Sequence, residues 1–591
     1  MNKQKFKTII LADFLNNKNG YLIAALSLMI LGGCTSDSTT SVANSVPTDT
    51  TITSIKFTEI TDEAGLTFKH ESGAYGEFFM PETMGSGVAF IDYNNDHYQD
   101  IILVGGGAWE KSVNKNVVSI RLFKNNGNGS FVEKTKEQGL DKIDIYGFGV
   151  TVGDYDNDGD DDFYVTALEK NVLLQNTGDG FIEVGAAAGV DGGDVWSTAA
   201  VFVDVDNDGF LDLFVGNYVK WSQAIDRNIF CSLDGVNDNY CHPNLYEGEQ
   251  GVFYYNNGDG SFSDQTKARG FTGVGEVAPL KTLGIATMDF DNNGHPDLVL
   301  ANDMQPDLLF QNKGNGTFQE VGTPAGIAYN RKGKPRAGMG IAIGDLDNSG
   351  NESIVVGNFS RQPISIYRSL PNGAFKDNAY ASKIGEASFL TLTFGVTMLD
   401  ADLDGDLDIF TANGHVFTDI EKKAANIKYR QAPHFFVNNG QGIFKDEAKQ
   451  IGGVLQQPMI GRASAYADID LDGDLDLLVS ENNGPVHLLR NDTETNHHFF
   501  RILLKNKNGS ANALGTKVTI SYGGKKQTRR VKSADGYLSQ SEFPLTFGIG
   551  SATQIDTLTI QWRSGEITII KNISADHFYL ATEGRDALEK R

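Results

Sequence analysis

Leu399–Phe410 reads LDADLDGDLDIF, with aspartates at 400, 402, 404, 406 and 408 ahead of an apolar run. Carboxylates this close repel one another, and the stretch holds no lysine or arginine to offset them. They must take up protons, splay apart or share a cation. Numbered 1 to 9 from Asp400, the loop offers side-chain oxygens at positions 1, 3, 5 and 9 (Asp400, Asp402, Asp404, Asp408) and glycine at position 6. Position 7 would contribute its backbone carbonyl, leaving the Asp406 carboxylate to solvent. Calcium takes about six to eight hard oxygens in a flexible cage, and the EF-hand loop supplies them in this alternating manner. Magnesium keeps more water, and nothing soft is present for zinc or copper. The competing reading is a solvated acidic turn that holds no metal.

The stretch is one of seven. The others are FIDYNNDHYQDIILV from Phe90, VGDYDNDGDDDFYV from Val152, FVDVDNDGFLDLFV from Phe202, TMDFDNNGHPDLVL from Thr287, IGDLDNSGNESIVV from Ile343 and YADIDLDGDLDLLV from Tyr466. Their ligand sets are Asp92, Asn94, Asp96 and Asp100; Asp154, Asp156, Asp158 and Asp162; Asp204, Asp206, Asp208 and Asp212; Asp289, Asp291, Asn293 and Asp297; and, in the seventh, Asp468, Asp470, Asp472 and Asp476. The fifth keeps Asp345 and Asp347 but has Ser349 and Ser353, so it is the weakest of up to seven calcium sites.

Each copy is an apolar strand, the acidic loop and a second apolar strand. A third strand runs into a Gly-rich turn (LFKNNGNGSF, FYYNNGDGSF, LLFQNKGNGTF), and a fourth leaves it (FVEKTKEQGL, FSDQTKARGF, FQEVGTPAGI). Four short antiparallel strands repeated seven times predict an all-β chain with a seven-bladed β-propeller over residues 55–492. The seventh unit has no fourth strand of its own, and FTEITDEAGL at Phe57–Leu66 has no preceding three; strand 57–61 is expected to complete the last blade. Residues 493–591 lack acidic loops and alternate regularly, which predicts a small antiparallel β domain packed on the propeller.

Lysines 3, 5, 7 and 18 precede an apolar run, Tyr21–Leu31, that is too short to span a bilayer and ends in LGGC. LGGC resembles a bacterial lipobox, which implies a lipoprotein signal over residues 1–33, acylation of Cys34 and a flexible tether over 34–54. Thr35 after the cysteine implies sorting to the outer membrane, periplasmic or surface-facing, with the lipid anchor as the only membrane contact. Cys231 and Cys241 then read as a local disulfide of an exported protein. A net charge of -26 with no basic stripe excludes nucleic acid as a partner. The basic run KKQTRRVK, Lys525–Lys532, reads equally as a docking site for an anion or as two solvated strand faces.

The repeats resemble FG-GAP/VCBS repeats, the blade type of the integrin α propeller. NALGTKVTI, GYLSQSEFPLTFGIG and IQWRSGE resemble the ASPIC/UnbV domain, with Arg563 where that family usually has proline. Together they are similar to the family of cartilage acidic protein 1 and its bacterial relatives. The resemblance implies an extracellular calcium-binding protein linked to adhesion or interaction and supplies no reaction.

Second strands that begin at the acidic loops end at the opposite side, where GNY, AND, GNF, NGH and ENN follow them. A ligand site is expected there from Asn302, Asp303, Asn413 and His415, with His70, Glu71 and Glu82; the plainer reading is that the asparagines satisfy turn backbones. No CxxCH, HExxH, GxSxG or P-loop occurs. The chain therefore reads as a calcium-rigidified binding or adhesion module for a glycan or protein. The alternative is a calcium-dependent polysaccharide lyase or hydrolase on the non-metal face, since a lyase needs only a base and a cation.

Overall fold

The protein is described by a computed structural model over residues 54–114, 117–271, 279–507 and 512–591. The leader, Cys34 and all but the last residue of the tether lie outside the described residues. Among the described residues no helix is long and apolar enough to cross a membrane.

Each repeat forms strands where its apolar runs fall. In the fourth unit these are Thr282–Met288, Asp297–Asn302, Leu308–Asn312 and Phe318–Glu320, each antiparallel to the one before. The second strand, DLVLAN, is buried throughout, because units stack face to face and leave it no solvent side. One apolar cluster thus joins Met288 and Val299 of the fourth unit to Ile341 and Ile354 of the fifth. The seventh unit takes its fourth strand from the start of the described chain. Phe57–Glu59 runs antiparallel to Val486–Asn491, with Phe57 opposite Asn491.

The sheets correct the expected seven-bladed β-propeller. Among the described residues no sheet closes into a barrel, and the units do not make seven separate four-stranded sheets. The second and third units merge into one eight-stranded sheet, because Val195 and Trp196 at the start of the third pair with Glu169 and Leu168. The first unit is widened to five strands by Ser539–Gln540, parallel to Val88–Ala89. The architecture is a set of open, mostly antiparallel sheets. The C-terminal segment is corrected as well. It folds as two four-stranded sheets, and one of them is mixed, with Phe499–Lys505 parallel to Phe578–Thr582.

The C-terminal segment does more than pack on the repeats. Its stretch 531–543 threads among their first strands. Gly536 exchanges backbone hydrogen bonds with Ile341 at 2.6 and 2.9 Å, Thr151 donates to the Ser533 carbonyl at 2.8 Å, and the Tyr466 N–H reaches Ser541 Oγ at 3.1 Å. Ser533 bonds the Phe202 carbonyl, and the Tyr537 ring, wholly buried, lies 4.9 Å from that of Phe394. With Val88–Ala89, these contacts tie one short segment to six of the seven units.

His487 fastens the first described strand to the seventh unit. Its Nδ1 lies 2.6 Å from Glu59 and its Nε2 lies 3.1 Å from Glu481. Burial opposes its charge, but the two carboxylates overcome this and lift its pKa to about 9. Because the folded value exceeds the unfolded one, this bridge stabilises the fold fully below about pH 6.5 and is lost as pH rises through 9. We expect His487→Gln to cost about 2 kcal/mol at pH 6. It should also flatten the fall in thermal midpoint between pH 7 and 10, read by calorimetry with the wild type alongside.

Candidate functional site

All seven acidic loops share one backbone design. Position 4 is left-handed in every case: Asn95, Asn157, Asn207, Asn292, Asn348, Leu403 and Leu471 have φ between 53 and 64°. Asparagine tolerates this conformation, whereas leucine adopts it under strain. Position 6 is left-handed too, and glycine occupies it in all but the first loop, where His97 stands at φ 71°. The turn brings the position 6 N–H onto Oδ2 of the position 1 aspartate in every loop, at 2.6 to 3.2 Å.

The position 9 aspartate opens the second strand and grips the rest of its unit. Asp297 Oδ2 accepts the Phe290 N–H at 2.6 Å, and its Oδ1 accepts the N–H of Asn312, the last residue of the third strand, at 2.7 Å. Asp100, Asp162, Asp212, Asp408 and Asp476 repeat both bonds. The asparagine then turns its amide to the preceding unit. Asn312 Nδ2 donates to the Val205 carbonyl at 2.8 Å, and Asn125, Asn176, Asn256, Asn438 and Asn491 make the matching contact, with Asn125 reaching Ile469 of the seventh unit.

Five groups bring three carboxylates close enough for one ion: Asp154, Asp156 and Asp162; Asp204, Asp206 and Asp208; Asp289, Asp291 and Asp297; Asp400, Asp402 and Asp404; Asp468, Asp470 and Asp476. These clusters are capable of coordinating a divalent cation. The donor set is carboxylate oxygen, which suits a hard ion. Buried Oδ1 atoms of Asp206, Asp289, Asp400, Asp468 and Asp470 have no hydrogen-bond partner and are the oxygens placed to take a cation. The first loop, with Asn94, and the fifth, with Ser349, form no such group; Lys124 lies 2.9 Å from Asp96, and Arg368 pairs with Asp347. Asp406 departs from expectation. It is half-buried and accepts Asn348 Nδ2 of the fifth unit at 2.7 Å, so its carboxylate links two units instead of facing solvent.

Arg529 and Arg530 of the basic run, together with Arg501, face the acidic loops of their own chain. Arg529 lies 3.9 Å from Asp400 Oδ2, Arg530 3.5 Å from Asp289 Oδ2 and Arg501 3.4 Å from Asp468 Oδ2, all position 1 aspartates. Arg501 also forks onto Glu542 at 2.5 and 2.6 Å. Arg563, the departure from the family pattern, donates to the carbonyls of Asp204 and Gly294 at 2.7 Å each and so clasps two loops. Residue-by-residue reading could not pair these cations with particular loops, although a basic run in so acidic a chain was a signal that they had a partner.

On the other side, Asn302 and Asn413 are fully buried and spent on the chain itself. Thr282 and Thr393 donate to their Oδ1 atoms, and their Nδ2 atoms donate to the carbonyls of Pro306 and Ala432. His415 is also buried, with Nε2 3.3 Å from Ser360 Oγ; burial, and then Arg462, push its pKa down to about 3. His70 accepts the Asn483 N–H at 3.0 Å, and Glu71 accepts from Asn114 at 2.6 Å. Asp303 lines an apolar cavity of about 50 Å³ with Tyr218, Tyr240, His242, Met304 and Phe359. It takes the Tyr218 hydroxyl at 2.5 Å, and burial raises its pKa to about 6. Glu82 adjoins the same wall through Tyr240 at 3.0 Å and Trp109 at 2.9 Å, and burial raises it to about 7. Around them gather Phe79, Tyr146, Phe148, Trp196 and Trp221, under an insert closed by the Cys231–Cys241 disulfide.

Burial raises the cation-free pKa of Asp154 and Asp468 to about 7, of Asp100, Asp212 and Asp297 to about 8, and of Asp162 to about 9. The folded state therefore holds more protons than the unfolded one between about pH 4 and 8, and its stability falls as pH rises across that window. In a chelator the thermal midpoint should drop by several degrees from pH 5 to pH 8. Saturating divalent cation should abolish the drop, as read by scanning fluorimetry.

Comparison with known proteins follows the same division of the chain. An FG-GAP-like repeat family matches residues 92–165, 154–215 and 289–356, and the family described as ASPIC and UnbV matches residues 506–587. Cartilage acidic protein 1 of Xenopus tropicalis is 27% identical over 293 residues, 48% of this chain and 42% of that protein. The human protein of that name is 25% identical over 302 residues, and again 42% of it is matched, so the alignments span less than half of these relatives. An Agrocybe aegerita lectin structure, titled for recognition of terminal N-acetylglucosamine, covers 68% of this chain and is itself covered to 87%, at 15% identity and a TM-score of 0.40. That likeness is too loose to carry an argument. The chain carries FG-GAP-like repeats followed by an ASPIC/UnbV segment and is related to the cartilage acidic protein 1 family.

Proposed function

We propose that the protein is a calcium-stabilised binding module that engages a glycan or protein ligand on the side away from its acidic loops. The observation that carries this reading is the aromatic cluster at that side. Three of the chain's four tryptophans, Trp109, Trp196 and Trp221, meet there. The disulfide-closed insert above them leaves Ile225, Phe230, Val236 and Leu245 exposed, Phe230 at 62%. Aromatic and apolar side chains rimmed by polar ones suit the faces of sugars or the core of a protein contact.

Calcium is the ion favoured by the carboxylate donors and their alternate spacing. The second, third, fourth, sixth and seventh loops would hold it, and the first and fifth would hold it weakly. Its part is structural. It neutralises each loop and fixes the turn from which the second strand starts. The LGGC motif supports attachment of the mature chain through a lipid on Cys34, and the motif with Thr35 supports a place in a bacterial outer membrane.

The test uses the chain from residue 55 onward in calcium, applied to panels of glycans and of cell-surface proteins. We expect a saturable ligand whose affinity falls at least tenfold in Phe230→Ser or Val236→Ser, both exposed positions, without change in thermal midpoint. Binding indifferent to both substitutions would overturn the assignment of the face. Exhaustive chelation should lower the thermal midpoint by roughly 10 °C, and an unchanged midpoint would remove the structural role of calcium.

A further inference from the structure

The position 1 aspartates of the fourth, sixth and seventh loops each face two ways. On Oδ2, Asp289 meets the Gly294 N–H at 3.2 Å and Arg530 at 3.5 Å; Asp400 meets the N–H groups of Gly405 and Gly548 at 3.0 and 3.1 Å and Arg529 at 3.9 Å; Asp468 meets the Gly473 N–H at 3.2 Å and Arg501 at 3.4 Å. On the other oxygen nothing is bonded. Oδ1 of all three is buried and unpartnered, in side chains no more than 8% exposed, and all three residues belong to the clusters that converge on a single ion position. A cation taken up at Oδ1 would therefore share its carboxylate with an arginine of the C-terminal segment.

The second loop is built without this partner. Asp154 is 2% exposed and receives the N–H groups of Asp158 and Gly159, but among the described residues it forms no ion pair. The C-terminal segment meets that loop through Asn512 Nδ2, 3.0 Å from Asp161, and through the charge of Lys505, which acts on Asp160 and Asp161 and not on the position 1 aspartate.

We propose that Arg529 and Arg530 are positioning residues that act as built-in counter-charges, lowering the calcium affinity of the sixth and fourth loops below that of the second. A guanidinium on one carboxylate oxygen repels a divalent ion on the other across a few ångströms of partly dry protein, where such forces are screened far less than in water. The same arginine compensates the loop when the ion is absent. The C-terminal segment thus holds the acidic side of the repeats together at low calcium and sets the concentration at which calcium takes over. Coupling between the two is reciprocal, so loading the loops relaxes the electrostatic hold on the arginines. Arg501 contributes in the same sense at the seventh loop, but its fork onto Glu542 makes it unsuitable for mutation.

This inference rests on calcium occupancy of the loops, and calcium titration calorimetry of the folded chain at pH 8 separates the two ideas. The wild type should show a tighter and a weaker class of site. Arg529→Gln and Arg530→Gln, made singly so that either can report if the other fails to fold, should each move one site from the weak class at least fivefold toward the tight one. The charge-conserving Arg529→Lys and Arg530→Lys, and the exposed Lys571→Gln at the opposite edge of the same sheet, should leave both classes in place. Weaker or unchanged calcium binding in the folded glutamine variants would overturn the counter-charge role, whereas a wild type that takes up no calcium would overturn the occupancy on which it stands.

Discussion

Every unit of this protein turns its chain through an acidic loop, with carboxylates two residues apart in six of the seven, and the fold depends on compensating that charge. The loops meet the demand with three kinds of partner. Backbone N–H groups take the position 1 and position 9 aspartates, as with Gly294 on Asp289 and Asn312 on Asp297. Cations of the same unit or the C-terminal segment take others, as with Lys124 on Asp96 and Arg530 on Asp289. Oxygens of the third, fourth, sixth and seventh loops are buried without hydrogen-bond partners beside other carboxylates, the condition in which a hard cation is bound most readily.

The same geometry explains why the two sides of the units differ in kind. Where the first strand passes into the second, glycine and asparagine in left-handed turns concentrate carboxylates. Where the second strand ends, the chain makes wider excursions, and the insert holding Cys231 and Cys241 packs tryptophans and tyrosines over Glu82, Asp226 and Asp303. These carboxylates are buried without arginine or lysine in hydrogen-bond contact. Indole and phenol donors satisfy them, Trp109 and Tyr240 on Glu82, Trp221 and Tyr246 on Asp226, and Tyr218 on Asp303. The acidic side is organised by charge, and the opposite side by aromatic donors in an apolar setting.

The strands and acidic loops were legible in the sequence because their signals are local: an apolar run, aspartates two apart, a glycine at a fixed offset. How strands combine into sheets was not, because it turns on pairings between distant or divergent segments. Val195 and Trp196 join two units only because the third unit's first strand runs long enough to reach Leu168 and Glu169. Nothing in GYLSQS announces that Ser539 and Gln540 will lie parallel to Val88 and Ala89. On the opposite side, Asn302 and Asn413 have the residue type of a ligand site, but their amides close turns. Asp303 differs by pointing into a cavity, and burial is what sequence does not disclose.

The fifth unit shows how closely charge and architecture are linked. Its position 9 residue is Ser353 and its third strand ends in Ser369, where the other six units have aspartate and asparagine. The two substitutions belong together. Without the carboxylate there is no acceptor at the start of the second strand for the N–H at the end of the third. Without the asparagine amide, among the described residues no side chain of the fifth unit makes this latch to the loop of the fourth. That loop is held instead from outside the repeats, with Arg530 on Asp289, Lys517 on Asn292 and Arg563 on the Gly294 carbonyl. The C-terminal segment thus places three cations where the repeat's own latch is missing, and a loop poorly equipped to bind an ion lies beside one braced from outside.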